Sequence, residues 1–295
     1  MRAPVPLIAA SLLAGMLAIA GPARAQNDVA IPTQTAQPEL VKMLPPATAE
    51  SKSFTLAVAL GSPPDDFRNA QGEISGWEID LLRAATEAMG LKLDMRPTTF
   101  DTLIPSLQAK RFDGAVGQIG ITDAREKILD MVGTLIANEE FAALADSKIE
   151  VKSLDDICGL SVGTTRGSRE MVFADQEQPK CSALGKPPVN ALAFNDGNGA
   201  VEALMSRRVD LFWLGSTAVS YFVAQSKGRT KVVGSYTDRS YLGVALPKGS
   251  DLAKPLQAAL QYLIEDGTYA KVIQKWGLED GAIKTVPLNP TGTPQ

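Results

Sequence analysis

The chain has 295 residues, 45% hydrophobic and 21% charged, a globular composition with apolar content for one large or two medium cores, and it excludes wholesale disorder. A net charge of −4 makes nucleic acid and anionic lipid poor partners. Histidine is absent, which removes Ser/His/Asp triads, Cys/His dyads and HExxH zinc sites; no metal and no cofactor are expected.

Met1 and Arg2 precede an apolar run from Leu7 to Ala20 and a small-residue stretch ending at Ala25, the three regions of a secretory signal. Cleavage after Ala25 predicts a soluble, periplasmic protein, and Gln26 stands where a lipoprotein would need cysteine. Loss of Arg2 and Arg24 shifts the mature charge to about −6. In an oxidising compartment Cys158 and Cys181 are expected to pair, with two buried free thiols as the alternative.

Residues 26–52, rich in Pro, Ala, Thr and Gln without sustained periodicity, read as an N-terminal tether. The run from Ser53 to Leu60 reads as a buried strand, and Trp77–Gly90 as an amphipathic helix with Ile79, Leu82 and Ala85 on one face. A strand over Leu91–Pro97, a helix over Phe100–Gly114 with Asp101 as cap and a third buried strand over Ala115–Ile121 complete a βαβαβ pattern. After a strand-like crossing near 134–145 the same grammar restarts. Strands at 160–165, 190–194, 210–215 and 231–236 alternate with helices opening at Gly167, Ala200 and Ser216. A further strand near Tyr241 and two helices broken at Gly267 follow, and periodicity leaves open which α/β unit they finish.

Candidate sites lie at strand-to-helix junctions, where ligands sit in open α/β sheets. Arg125 follows Thr122, a potential N-cap, at the position where a capping box wants Glu or Gln. It is either a surface charge screened by Asp123 and Glu126 or a two-pronged grip for a carboxylate. "GTTRGSRE" at 163–170 offers the N–H groups of Gly167 and Ser168 to an anion, or is a glycine turn with Ser168 as cap. "GLSVG" at 159–163 matches the GxSxG elbow in form, but its serine lies in a strand and the chain has no histidine. The acidic pairs Asp65/Asp66, Glu139/Glu140 and Asp155/Asp156 are expected to face solvent, the first two near expected cleft edges, and Phe100 and Trp213 read as core or as ligand platforms.

Three blocks in order, 75–131, "SLDDICGLSVGTTRGS" and "DLAKPLQAALQYLIEDGTYAKVIQKWG", resemble the extracellular solute-binding protein family 3, the amino-acid receptors of ABC importers. The resemblance implies an α/β type II periplasmic-binding-protein fold of two lobes joined by a two-crossing hinge. Lobe 1 would span 53–134 plus 241–283 and lobe 2 140–235, with 284–295 as a C-terminal tail. It places the family's carboxylate-gripping arginine on Arg125, its second-lobe anion contact on Gly167 and Ser168, its aromatic platform on Phe100, and other cleft-lining positions on Gln118, Gly120 and Gly215. Two of these depart from the family pattern: Gly120 stands where Ser or Thr is usual, and Gly215 where an Asp usually takes the ligand's ammonium. Ser62 replaces a common aromatic, and Asp65 or Glu139 could supply a carboxylate from another direction. The implied function is a monomeric receptor that closes on a small carboxylate-bearing solute, an amino acid or related organic acid, and docks on an inner-membrane ABC permease. The alternatives are a periplasmic enzyme of the cyclohexadienyl-dehydratase type and a non-transporting interaction or sensor module.

Overall fold

A computed structural model describes residues 29–290; the signal segment predicted over 1–25 and the end of the tail, 291–295, lie outside them. No helix among the described residues is long and apolar enough to cross a membrane.

Strand β1 (Ser53–Ala59) runs parallel to β4 (Lys92–Thr98) on one side and to β5 (Gly114–Val116) on the other. Farther along the chain, β7 (Ser161–Thr165) lies parallel between β8 (Asn190–Phe194) and β9 (Leu211–Gly215). These two parallel groups are joined through β6 (Leu129–Leu144) and β10 (Thr230–Pro247), which run antiparallel to each other along nearly their whole length. The eight strands form one sheet in the order β4-β1-β5-β10-β6-β9-β7-β8. The strands expected separately at 231–236 and from Tyr241 are thus one strand, interrupted where pairing jumps from Tyr236↔Glu139 to Ser240↔Ala137. A two-stranded ribbon, β2 (Phe67–Arg68) with β3 (Ile74–Ser75), was not expected from periodicity.

Helix α3 (Trp77–Ala88) buries Ile79, Leu82 and Ala85 as its spacing dictates, and α9 (Ala253–Glu265) and α10 (Thr268–Trp276) pack against it in the largest apolar cluster. Helix α4 (Phe100–Gln108) covers the other face of β1 and β5 through Leu103 and Leu107. Across the crossing strands, α6 (Arg169–Ala183), α7 (Gly197–Met205) and α8 (Ser216–Gln225) cover β7 to β9. Trp213 is fully buried and stacks on Phe141 at 4.6 Å, so of its two readings the core one holds. Cys158 and Cys181 form a disulfide with a Cα–Cα distance of 5.5 Å. It ties the segment before β7 to α6, and closing a loop of this length stabilises by roughly 3 kcal/mol.

Both ends of the described chain differ from expectation. The stretch read as a tether forms α1 (Pro38–Lys42) and α2 (Pro46–Ser51), each opened by a proline whose missing N–H costs nothing in a first turn. Leu40 and Leu44 enter the large cluster, and the Gln37 N–H donates to the Ala88 carbonyl at the end of α3. The tail returns as well: Val286 is buried, and Asn289 exchanges hydrogen bonds with the Met131 backbone. The apolar residues of this stretch, Leu40 and Leu44 among them, follow no helical or strand period, which is why the tether reading missed them.

Candidate functional site

The third strand was expected to continue to Ile121, yet β5 stops at Val116. The buried Glu78 carboxylate on α3 accepts the N–H groups of Gly117 (3.2 Å) and Gln118 (2.9 Å), and Gln118 adopts φ +59°. This turn throws residues 117–125 into a cleft between the two parallel groups. The cleft encloses about 480 Å³ with its mouth, and Phe100, Gln118, Gly120, Arg125 and Ser168 line it together with Glu139, Arg169, Glu170 and Asp196.

Arg125 sits in α5 (Asp123–Glu126), a single turn capped by the Thr122 hydroxyl, which accepts from the Arg125 N–H at 3.2 Å. The surface reading of this residue is corrected: Arg125 is 8% exposed. Its Nη1 donates to the Gly120 carbonyl at 2.8 Å, and its guanidinium lies 5.6 Å from the Phe100 ring centroid. Among the described residues it forms no ion pair. Burial pulls its pKa down to about 10, with Glu170 and Glu139 opposing from a distance, so it stays charged at neutral pH.

Ser168 is the N-cap of α6 and accepts from the Met171 N–H, but its own N–H donates to Thr165 at 3.1 Å. What it offers the cleft is therefore its hydroxyl. Gly167 does not line the cleft; it takes φ +76° and abuts Asp101 from across the opening. Sequence reasoning stopped one residue short here. The next two residues of the same stretch, Arg169 and Glu170, carry the charge on this side, and a charged pair in the first turn of a helix whose cap faces the cleft was the available signal.

Glu139 on β6 is 3% exposed and accepts from both Nε (2.6 Å) and Nη2 of Arg169, whose Nη1 donates to the Ser240 hydroxyl. Burial and neighbouring Glu170 push the Glu139 carboxyl well up, against the pull of Arg169. Burial raises Glu170 too, but Glu139, Arg169 and Ser168 more than offset it, so Glu170 lies low.

The two unexpected glycines each make room for a side chain. A Cβ on Gly120 would stand 3.0 Å from Arg169 Cζ, and one on Gly215 would stand 2.6 Å from Gln118 Cδ. Gly215 does not itself line the cleft. The space left at these two positions is taken by a guanidinium and an amide. The Gln118 amide donates to Asp65 (2.8 Å) and to the Thr217 hydroxyl, and Thr217 donates to Asp65 at 3.0 Å. Asp65 thereby links the loop after β1 to the start of α8 across the cleft. Gly215→Ala should expel the Gln118 amide and lower stability by about 1 to 2 kcal/mol. In a Gln118→Ala background most of that loss should vanish, a coupling that urea unfolding of the four-variant cycle measures.

Asp65, Asp66 and Glu139, expected to face solvent, are instead buried, and Asp65 and Asp66 form an acidic cluster with Glu78. Burial, then Glu78, raises Asp65 to about 8, although Trp77 and Thr217 donate to it. Asp66 and Glu78 are both pushed up by burial and their carboxyls pair with each other, with no N–H or hydroxyl donating to either Asp66 oxygen among the described residues.

Residues 54–279 match the family described as bacterial extracellular solute-binding proteins, family 3. The chain belongs to that family. Among family 3 relatives, the arginine-binding protein ArgT of Corynebacterium glutamicum is 31% identical over 257 residues, covering 85% of this chain and 83% of its own length. The L-cystine-binding protein TcyJ of Escherichia coli K12 is 28% identical over 227 residues, covering 75% and 82%. Of solved structures, an ancestral arginine-binding protein bound to arginine superposes with a TM-score of 0.68 at 28% identity, covering 76% of this chain and 98% of its own. The ancestral amino-acid-binding protein AncCDT-1, a precursor of cyclohexadienyl dehydratase, gives a TM-score of 0.69 at 25% identity, covering 78% and 97%. The fold is the type II periplasmic-binding architecture, two α/β lobes joined by two crossing strands.

Proposed function

We propose that this protein is the periplasmic receptor of an ABC importer and takes a small carboxylate-bearing solute, an amino acid or a related organic acid, between its lobes. The observation that carries this reading is Arg125: a buried guanidinium lining the cleft without an acid in ion-pair range. A buried cation is costly unless paired, and a ligand carboxylate is the partner that fits its two-pronged geometry. The Ser168 hydroxyl faces the same space from the opposite lobe. Lobe 1 comprises 53–134 and 241–283 and lobe 2 140–235; hinge closure brings Arg125 and Ser168 onto one ligand, and the closed monomer docks on the permease. The names of the relatives, all binding proteins, support a receptor over an enzyme.

A thermal-shift panel of amino acids, keto acids, hydroxy acids and dicarboxylates tests this. A member at about a hundred times its dissociation constant should add roughly 2.7 kcal/mol, or about 2 to 4 °C in a two-state unfolding. Absence of a shift from every acid would remove the reading.

A further inference from the structure

The loop after β1 and the first turn of α8 meet across the lobe boundary through Asp65 and Thr217, neither of which lines the cleft. Asp65 Oδ2 accepts from the Gln118 amide (2.8 Å) and from the Thr217 hydroxyl (3.0 Å), and the same amide donates to that hydroxyl. The three side chains close a ring of hydrogen bonds, two of them from lobe 1 and one from lobe 2. Asp65 is fully buried and Thr217 nearly so, which keeps water from the ring. The Trp77 indole N–H holds the other Asp65 oxygen, and the Glu78 carboxylate fixes the Gln118 backbone, so the lobe 1 side is in place before Thr217 reaches it. A further bond spans the lobes nearby, from the Asn198 N–H in α7 to the Gly61 carbonyl at 3.0 Å.

Every group in the ring belongs to the protein, so the ring can close with or without a solute. Parting the lobes breaks both bonds of the Thr217 hydroxyl and trades them for bonds to water, an exchange with only a modest net cost. A contact of that size biases an equilibrium between two arrangements without locking it. We propose that the Asp65–Gln118–Thr217 ring is a latch that favours the closed arrangement in its own right, with Thr217 as a positioning residue that acts on the cleft without touching the solute. This rests on the two-lobe, hinge-closing part of the reading above and not on which solute the cleft takes.

Small-angle X-ray scattering of the full mature chain in solute-free buffer tests it, alongside Thr217→Val, which keeps the shape and loses the hydroxyl, and Thr217→Ser, which keeps the hydroxyl. The wild-type curve should be dominated by the closed arrangement. In Thr217→Val the ratio of closed to open molecules should fall about tenfold, as expected for losing two neutral hydrogen bonds, and the radius of gyration should rise. Thr217→Ser should scatter like the wild type, which a mere packing role for the methyl-bearing side chain would not produce. Circular dichroism checks that the valine variant is folded, and the wild-type curve stands without it. A wild type that is predominantly open in this buffer, or a folded Thr217→Val with the wild-type curve, would overturn the latch and leave the receptor standing. A chain that binds no acid of the thermal-shift panel but scatters as expected keeps the latch and loses the receptor.

Discussion

Arg125→Ala should weaken binding of the best ligand by roughly 2 to 5 kcal/mol, about thirtyfold to several thousandfold in dissociation constant. The loss has two parts: the missing guanidinium fork, and the cost of leaving the ligand's carboxylate in a closed cleft without a partner. Arg125→Lys keeps the charge but not the fork, and should recover part of the affinity only. The fold itself should survive, because Arg125 ties to the rest of the protein through one carbonyl and one ring face, Gly120 and Phe100. Titration calorimetry on both variants, with circular dichroism as the folding check, gives the answer. An alanine variant that binds like the wild type would take the carboxylate off Arg125.

Stability should be greatest in mild acid and fall as pH rises from 5 to 8, the reverse of a protein dominated by ion-paired carboxylates. The cause is the buried cluster of Asp65, Asp66 and Glu78. Each carboxyl is raised by burial in the folded chain, Asp65 to about 8, and reverts to about 4 when unfolded. Between those values the unfolded chain binds fewer protons than the folded one, so the folded state loses up to roughly 1.4 kcal/mol per pH unit for each such group. The profile flattens above the folded value. Asp130, held low by Lys248 and Asn289 against burial, stays ionised across this window and adds no slope. Urea unfolding at pH 5, 6, 7 and 8 reads the profile, and midpoints that rise toward pH 8 would contradict it. Asp66→Asn should flatten the slope, since it removes one raised carboxyl while its amide can still donate to Glu78, the group the Asp66 carboxyl pairs with.

Much of this architecture could be read from the residues because burial and period coincide in it. The alternating and fully apolar runs of β1, β7, β8 and β9, and the apolar faces of α3, α4 and α9, appear within a few residues of expectation. What escaped had no local period. The turn at Gln118 depends on a carboxylate forty positions away, the helices before β1 are held by two leucines, and the continuity of β10 comes from its pairing with β6. At the cleft, local reasoning left Arg125 undecided between surface and grip, and the resemblance favoured the grip. Gly120 and Gly215 could be seen as departures but not understood. Their meaning depends on Arg169 and Gln118 reaching into the space they leave, and each of those side chains comes from another segment of the chain.

The lapse in the ladder between β6 and β10 bears on how such a receptor diversifies. Asn138 alone on β6 faces three residues of β10, and the next residue on β6 is Glu139. Strand faces alternate with every residue, so an insertion or deletion of one position at this already irregular point would turn Glu139 to the opposite face while Arg125, on a separate turn, stayed in place. Glu139 and Arg125 therefore sit on segments that can change independently. A single codon gained or lost beside Asn138 would then withdraw the Glu139–Arg169 pair from the cleft wall without moving Arg125.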